Sequence, residues 1–200
     1  MNAEELWKTP VTLNGKVIRL EPMTAAHASG LAVAGKDDSI WKFMLYGDLT
    51  NPENMSVWVN EILHRQANGT DLPFTVVHQQ SGDVIGATRY IEMRPAHKGL
   101  EIGGTWYAPK YQRTAVNTEC KYLMLKYAFE VLKCIRVQFK ADGRNERSIH
   151  AIERLGAVKE GVLRNHIILQ DGTIRDSVFF SILDWEWPAK KIQLEERLNQ

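Results

Sequence analysis

EIGGTWYAPKYQRTAVNTECKYLMLKYAFEVL, residues 101–132, contains a strand, a tight turn and a long helix in succession. The isoleucine, threonine and aromatic residues of 100–108 are typical of a strand. From residue 117, apolar side chains recur at i, i+3 and i+4 over three turns, which predicts an amphipathic helix. Leu125 and Phe129 lie outside this stripe, so we expect the helix to be covered on more than one side. The stripe consists of Cys120, Leu123, Met124, Tyr127, Ala128, Val131 and Leu132.

The turn before this helix, residues 112–118, allows two interpretations. The first N–H groups of a helix have no intrahelical partner and favour an anion, so a diphosphate could lie over the turn. Phosphate-binding turns usually carry glycine because their backbone must approach the anion closely, and this turn has Ala115 and Asn117 instead. In the other interpretation Asn117 is only an N-cap and Arg113 is a solvated charge. The turn by itself leaves both open.

The rest of the chain predicts a mixed sheet with helices on its faces. The order of elements is β-α-α-β-β-β-α-β-α-β-β, which indicates an α/β fold, in the sense of an α+β mixed sheet. Asp171-Gly172 is a strong signal for a type I′ hairpin between the last two strands. The predicted strands are 16–21, 72–78, 84–93, 100–108, 135–141, about 160–169 and 173–183. The other predicted helices are about 24–35, 52–69, 145–156 and about 185 onward.

Three further polar residues could carry chemistry. Asn145 is a good N-cap and Ser148 falls at the N3 position of the same short helix, so both could serve only to cap it. Glu101 lies between apolar residues of a strand. It either faces solvent or sits in a cleft, where burial would favour the role of general base.

Composition excludes several classes of protein. The 200 residues fit one domain, 1–200, and the net charge of +1 without a basic run gives no sign of nucleic-acid binding. We expect no membrane partner, because no apolar run is long enough to span a bilayer and the first ten residues do not resemble a secretory signal. Cys120 and Cys134 have no metal-like spacing, the six histidines are scattered, and we expect a cytoplasmic protein with reduced thiols and no bound metal.

Taken in order, these stretches resemble the GNAT superfamily of acyl-CoA-dependent N-acetyltransferases. The closest likeness is to the branch that includes the ribosomal-protein N-terminal acetyltransferases, RimJ and RimL, and it covers about residues 11–187. The matching stretches are GKVIRLEPMTAAHASGL, DVIGATRYIEM, EIGGTWYAPKYQRT, the long helix through GVLR at 161–164, and RDSVFFSILDWEW. The resemblance implies a sheet whose middle strands splay apart, with helices on both faces.

The resemblance also implies where acetyl-CoA, the cosubstrate, would bind. The family's pyrophosphate motif, Q/R-x-x-G-x-G/A, corresponds to Q-R-T-A-V-N at 112–117. Many members place a tyrosine seven residues after the asparagine to protonate the leaving thiolate, and this chain has Ile152 there. Ser148 is then the candidate for that role, because a serine at its place approaches the CoA sulfur in the closest branch. The implied cofactor-binding residues are Trp106, Tyr107, Ala108, Gln112, Arg113, Thr114, Ala115, Val116, Asn117, Thr118, Asn145 and Ser148.

The implied reaction is attack of a primary amine on the thioester in a ternary complex. Glu101 is the predicted general base, and His166 and Asp176 are weaker alternatives. Trp41, Phe43 and Tyr46 lie where the family forms a substrate wall, although an aromatic cluster is more often core.

The acceptor could be a small-molecule amine or a protein N-terminus, and a homodimer is possible. The missing glycines and tyrosine leave a second interpretation, an acyl-CoA-binding or sensory module with little or no turnover. A noncatalytic interaction domain is a third.

Overall fold

An eight-stranded mixed sheet organises the chain. The computed structural model describes residues 3–200, with side chains from residue 5, so the first two residues of the predicted 1–200 domain lie outside the described residues. The strand order is β1-β2-β3-β4-β5-β6-β8-β7, and β5 and β6 form the parallel pair among otherwise antiparallel neighbours. The strands are β1 (Leu13–Asn14), β2 (Ile18–Pro22), β3 (Leu72–His78), β4 (Val84–Arg94), β5 (Gly99–Tyr107), β6 (Arg136–Asp142), β7 (Val158–Ile168) and β8 (Ile174–Leu183).

Six α-helices accompany the sheet in the described residues. They are α1 (Ala3–Lys8), α2 (Ala28–Ala34), α3 (Pro52–Ala67), α4 (Ala115–Lys126), α5 (Glu146–Glu153) and α6 (Trp187–Leu198). A π-helical turn, Tyr127–Val131, extends α4 to the end that the apolar stripe predicts. The predicted order of elements is confirmed, with α1 and the two-residue β1 added before it. Both additions are too short to carry a periodic pattern.

Two apolar cores lie on opposite faces of the sheet, as predicted for this fold. The first core joins the sheet to α4, α5 and α6 through residues such as Met124, Ile152 and Leu194. The second core joins β4 and β5 to α2 and α3, where Trp58 and Trp106 pack edge to face. The mixed α/β fold with helices on both faces is therefore confirmed.

The central strands β5 and β6 separate after three residue pairs. Their register contains Gly99↔Arg136, Leu100↔Val137 and Glu101↔Gln138, and no pair beyond these in the described residues. Along the gap, β5 stays paired with β4, and β6 stays paired with β8 through Asp142. Two inner strand edges therefore face each other across the gap without a strand between them.

A β-bulge beside the gap helps to turn β5 away from β6. The register of β4 and β5 shifts between Ala87↔Trp106 and Arg89↔Gly103, which leaves an extra residue on β5. Gly104 in this bulge has a φ of 57°. A Cβ there would lie 2.7 Å from Tyr46 Oη and 2.9 Å from Arg89 Nε, so both backbone and space favour glycine.

Glu119 fixes α4 to the edge of the sheet formed by β1 and β2. Its side chain is 4% exposed and accepts three backbone hydrogen bonds from the β1–β2 turn. Oε1 accepts from Lys16 N at 2.7 Å, and Oε2 accepts from Val17 N and Ile18 N at 2.8 Å each. Because the acceptor is a carboxylate, each bond is charge-assisted and orients the helix.

We expect Glu119→Gln to lower the free energy of unfolding by about 2 kcal/mol, since an amide NH₂ cannot accept from these buried N–H groups. Urea unfolding followed by circular dichroism measures the change. The matched control is Glu196→Gln on the exposed face of α6, which should change the value by less than about 0.5 kcal/mol. Equal effects of the two substitutions would contradict this role for Glu119.

Candidate active site

A cleft of about 300 Å³ opens where β5 and β6 separate. One end lies at the turn before α4, residues 112–118, and the other reaches Glu101 at the point where the strands part. Residues 40–46 between α2 and α3 form a third side. The cleft thus joins a helix N-terminus to a buried carboxylate.

Thr114, not Asn117, caps α4. The helix begins at Ala115, and Thr114 Oγ1 accepts from Val116 N at 3.3 Å. The interpretation in which Asn117 is only an N-cap is wrong, because the turn ends two residues earlier than the apolar stripe indicates. Asn117 lies in the first helical turn, where its Oδ1 accepts from Tyr107 Oη at 3.2 Å. Its side chain is therefore held against β5.

Arg113 has the left-handed backbone in this turn, with a φ of 60°. A residue other than glycine in that region costs about 1 kcal/mol. Ala115 and Asn117 are not among the residues with positive φ, so no backbone strain calls for glycine at either place. The turn presents its helix N-terminus without the glycines of the usual motif.

Gln112 ties this turn to both neighbouring elements. Its Nε2 donates to Tyr107 O at 2.9 Å, at the end of β5. Its Oε1 accepts from Arg147 Nη1 at 2.6 Å, at the start of α5. The exposed guanidiniums of Arg113 and Arg147 thus stand on the same side of the cleft as the N-terminus of α4. This end of the cleft can hold an anion.

The structure brings most of the predicted cofactor-binding residues into the cleft, but not three of them. Ala108 is buried in the second core, where its N donates to Ile85 O and its carbonyl accepts from Tyr111 N. Val116 is buried in the first core, and Ala115 points outward. The predicted contacts of Ala108, Ala115 and Val116 with the cofactor stay predictions, and Ala115 and Val116 could make them only through the first turn of α4. The residues that line the cleft are Trp106, Tyr107, Gln112, Arg113, Thr114, Asn117, Thr118, Asn145 and Ser148.

Asn145 caps α5, as the sequence predicts. Its Oδ1 accepts from Ser148 N at 3.1 Å, which places both residues on the wall opposite β5. Ile152, one turn further along, also lines the cleft and offers no proton. The Ser148 hydroxyl is half-buried and faces the same space.

Glu101 is buried at the closed end of the cleft, with 1% of its surface exposed. Its Oε2 accepts from Gln138 Nε2 at 2.9 Å and lies 3.3 Å from Lys140 Nζ. Both partners come from β6, so the carboxylate bridges the strands where they part. Its Oε1 lies near Gly103 and has no hydrogen-bond donor among the described residues. Oε2 is thus hydrogen bonded within the protein, and Oε1 is available to a ligand.

Two of the three aromatic residues predicted to form a substrate wall line the cleft, and the third does not. Phe43 and Tyr46 line the cleft, and Tyr46 Oη accepts from Arg89 Nη2 at 2.7 Å, while burial raises the pKa of Tyr46. Trp41 is instead buried in the second core, where its Nε1 donates to Gly35 O.

His166 and Asp176 do not line the cleft either. They border an open depression on the β7–β8 hairpin, and Asp176 accepts from Asn165 N at 2.7 Å. The structure therefore does not bring Trp41, His166 or Asp176 to the site.

Six cationic residues of the cleft were missed from the sequence: Arg89, Lys121, Lys140, Arg147, Arg154 and Arg175. Lys121 is 6% exposed and its Nζ donates to Thr105 Oγ1. Burial lowers the pKa of this lysine. A lysine next to the apolar stripe of α4 could have drawn attention to it. Lys140 and Arg175 occupy polar positions of alternating strands, which is the ordinary pattern for solvated side chains.

No group of three or more His, Cys, Asp or Glu side chains in the described part of the chain is placed to hold a metal ion. No described helix is both long and apolar enough to cross a membrane.

Comparison with known proteins identifies the family. The acetyltransferase (GNAT) domain matches residues 18–158. A GCN5-related N-acetyltransferase from Brucella melitensis superposes with a TM-score of 0.89 at 29% identity, over 95% of this chain and 86% of that chain. Spermidine N(1)-acetyltransferase of Escherichia coli (strain K12) is 24% identical over 84% of this chain and 92% of its own length.

Mycobacterium smegmatis RimJ in complex with CoA-disulfide shares the fold, with a TM-score of 0.79 at 19% identity over 94% of each chain. The separated central strands and the capped helix at the mouth of the cleft agree with the resemblance seen in the sequence. The matched domain spans well over half of the chain, and the protein belongs to the GNAT family of acetyl-CoA-dependent N-acetyltransferases.

Proposed function

We propose that the protein moves acetyl from acetyl-CoA to a primary amine by direct attack, with both substrates bound in the cleft between β5 and β6. The observation that carries this proposal is the continuity of that cleft. It runs from the N-terminus of α4 to the open oxygen of Glu101. A thioester and an amine bound from its two ends would meet at the parting of the strands, so proximity supplies much of the catalysis.

The chain's own groups fit the cosubstrate. Acetyl-CoA supplies an acyl group activated as a thioester. The first N–H groups of α4, the Thr118 hydroxyl and the Arg113 and Arg147 guanidiniums suit its diphosphate. The unpaired inner edge of β5 suits the amides of its pantetheine arm, since an extended ligand can complete an open strand edge.

Glu101 is our proposed general base. An amine with a pKa near 8 or above must lose a proton before it attacks. The Lys140 ammonium and the Gln138 amide stabilise the ionised carboxylate through Oε2, which leaves Oε1 to accept the amine's proton directly or through a water. Burial at this place keeps the base away from bulk solvent.

Ser148 is our proposed proton donor to the departing thiolate. As the C–N bond forms and the C–S bond breaks, the thiolate needs a hydrogen bond or a proton. The Ser148 hydroxyl lines the cleft at the place where Ile152 leaves the family's tyrosine role vacant. Lys121 is a second candidate, because its lowered pKa makes the ammonium a stronger acid than an ordinary lysine.

Similarity to relatives is the basis for proposing which primary amines the protein acetylates. Likeness to the ribosomal-protein branch supports a protein N-terminal amine, and the spermidine enzyme among the relatives supports a small amine. A screen of amines and peptides by mass spectrometry, with acetyl-CoA as donor, tests the function. Acetylated product from at least one class is expected. CoA binding with no product from any acceptor would favour an acyl-CoA-binding module instead.

Glu101→Gln should lower kcat by roughly 100-fold, because the isosteric amide cannot take the proton. The loss should be greatest at low pH, where more of the acceptor is protonated, and CoA affinity should stay unchanged. The control is Glu160→Gln on the same sheet, whose carboxylate pairs with Arg136 outside the cleft. Parallel loss of CoA binding and rate would show that Glu101 is structural.

Ser148→Ala should reduce kcat by roughly tenfold without changing the KM for acetyl-CoA, because only the departing thiolate loses a partner. Lys121→Met is the comparison variant, measured by the same thiol-release assay. A wild-type rate for Ser148→Ala together with a large loss for Lys121→Met would move the role to the lysine.

A further inference from the structure

Arg175 is a buried guanidinium that faces the cleft without a counter-ion. Its side chain is on β8, 5% exposed, and its Nε donates to Ser177 Oγ at 3.0 Å. No carboxylate of the described residues lies within 4 Å of it. Burial lowers the pKa of Arg175, and the Asp142 and Glu101 carboxylates, both more than 4 Å away, oppose this shift only in part.

The carboxylates around this part of the cleft are paired with other cations. Glu101 has Lys140 at 3.3 Å, and Asp142 has Arg144 at 2.7 Å. Arg89, on the side of the second core, has Asp71 at 3.3 Å. Of the two buried arginines that line the cleft in the described residues, Arg175 is therefore the one without a carboxylate within 4 Å.

Arg175 and the proposed base lie on one face of the sheet. Along β6, Phe139 and Ala141 enter the first core, so Lys140 and Asp142 point to the opposite face. The register pairs Asp142 with Ser177, and Arg175 has the same orientation as Ser177 two residues away. The guanidinium thus borders the space into which Glu101 faces, on the side away from α4 and α5.

We propose that Arg175, assisted by Lys140, binds a carboxylate of the acceptor, so that the acceptor is a small amine of the amino-acid type. This inference rests on the proposed function. A guanidinium in a buried site recognises a carboxylate through paired hydrogen bonds, and the bound carboxylate supplies the missing counter-ion. The amine of the same molecule then lies toward Glu101 Oε1.

The surroundings favour a small acceptor over a folded protein. The segment before α3, which lines the cleft through Leu45 and Tyr46, meets the tip of the β7–β8 hairpin. A Cβ on Gly47 would lie 2.0 Å from Gln170 Oε1, so the two segments are in contact. A polyamine is also disfavoured, because Arg175 and Lys140 repel a polycation, and spermidine should be a poor acceptor here.

Matched pairs of acceptors test the carboxylate. L-amino acids and their amides are compared for kcat/KM at equal concentrations of unprotonated amine, with spermidine and neutral N-terminal peptides alongside. The wild type should prefer the carboxylate of each pair by at least roughly tenfold, mainly through KM, as expected for a charge-assisted bond. Arg175→Gln should abolish the preference, and Arg175→Lys should keep part of it.

Arg144→Gln is the matched control, because Arg144 pairs with Asp142 but does not itself line the cleft. It should keep the wild-type preference. Equal losses in Arg144→Gln and Arg175→Gln would mean that Arg175 acts only through Asp142, and would overturn the inference. So would equal use of acids and amides by the wild type, or a preference for aminoalkyl phosphates over aminoalkyl carboxylates of the same length.

Calorimetric titration of the same pairs into the CoA-loaded wild type tests the subsite without turnover. Tighter binding of the acid than of the amide supports the subsite even if no amine is acetylated, in which case only the proposed function fails. Turnover of amines with no such difference in affinity overturns the inference and leaves the proposed function standing.

Discussion

The early parting of β5 and β6 is the constraint on which the rest of the structure depends. A sheet normally satisfies every backbone N–H and C=O of its inner strands. Here pairing stops after Glu101 and Gln138, while the outer edges of both strands stay paired with β4 and β8. The fold therefore holds open, inside its own sheet, an edge that only a ligand can complete.

The elements around the gap explain why it does not close. The bulge at Gly104 turns β5, and the Glu101 carboxylate with its two β6 partners fills the point of separation with charge rather than with an apolar seam. On one side, Glu119 holds α4 so that its N-terminus stands at the mouth of the gap. On the other side, the second core fixes the segment 40–46. Stability and chemistry thus use the same few interactions.

The sequence predicts the fold and most of the cleft wall, because both depend on local patterns. Apolar periodicity identifies α3 and α4, and Asn145 is recognisable as a cap. The start of α4 was misplaced because Thr114, not the more obvious Asn117, caps it. The left-handed backbone of Arg113 carries no sequence signal, because arginine rarely adopts it.

Contacts between side chains that are distant in the sequence could not be predicted. That Glu101 faces a cleft depends on Gln138 and Lys140, more than 35 residues away on another strand. That Arg175 lacks a counter-ion depends on which carboxylates other cations have already taken. Trp41, His166 and Asp176 lie outside the cleft, which the sequence could not indicate, since residue type alone does not distinguish core, hairpin surface and cleft.

A crystal structure of the protein with CoA tests the central claim most directly. We expect the pantetheine arm to lie between β5 and β6, hydrogen bonded to the inner edge of β5, with the diphosphate over Thr114–Thr118 and the sulfur between Ser148 and Glu101. CoA bound elsewhere, or β5 and β6 closed on each other in the complex, would contradict the account.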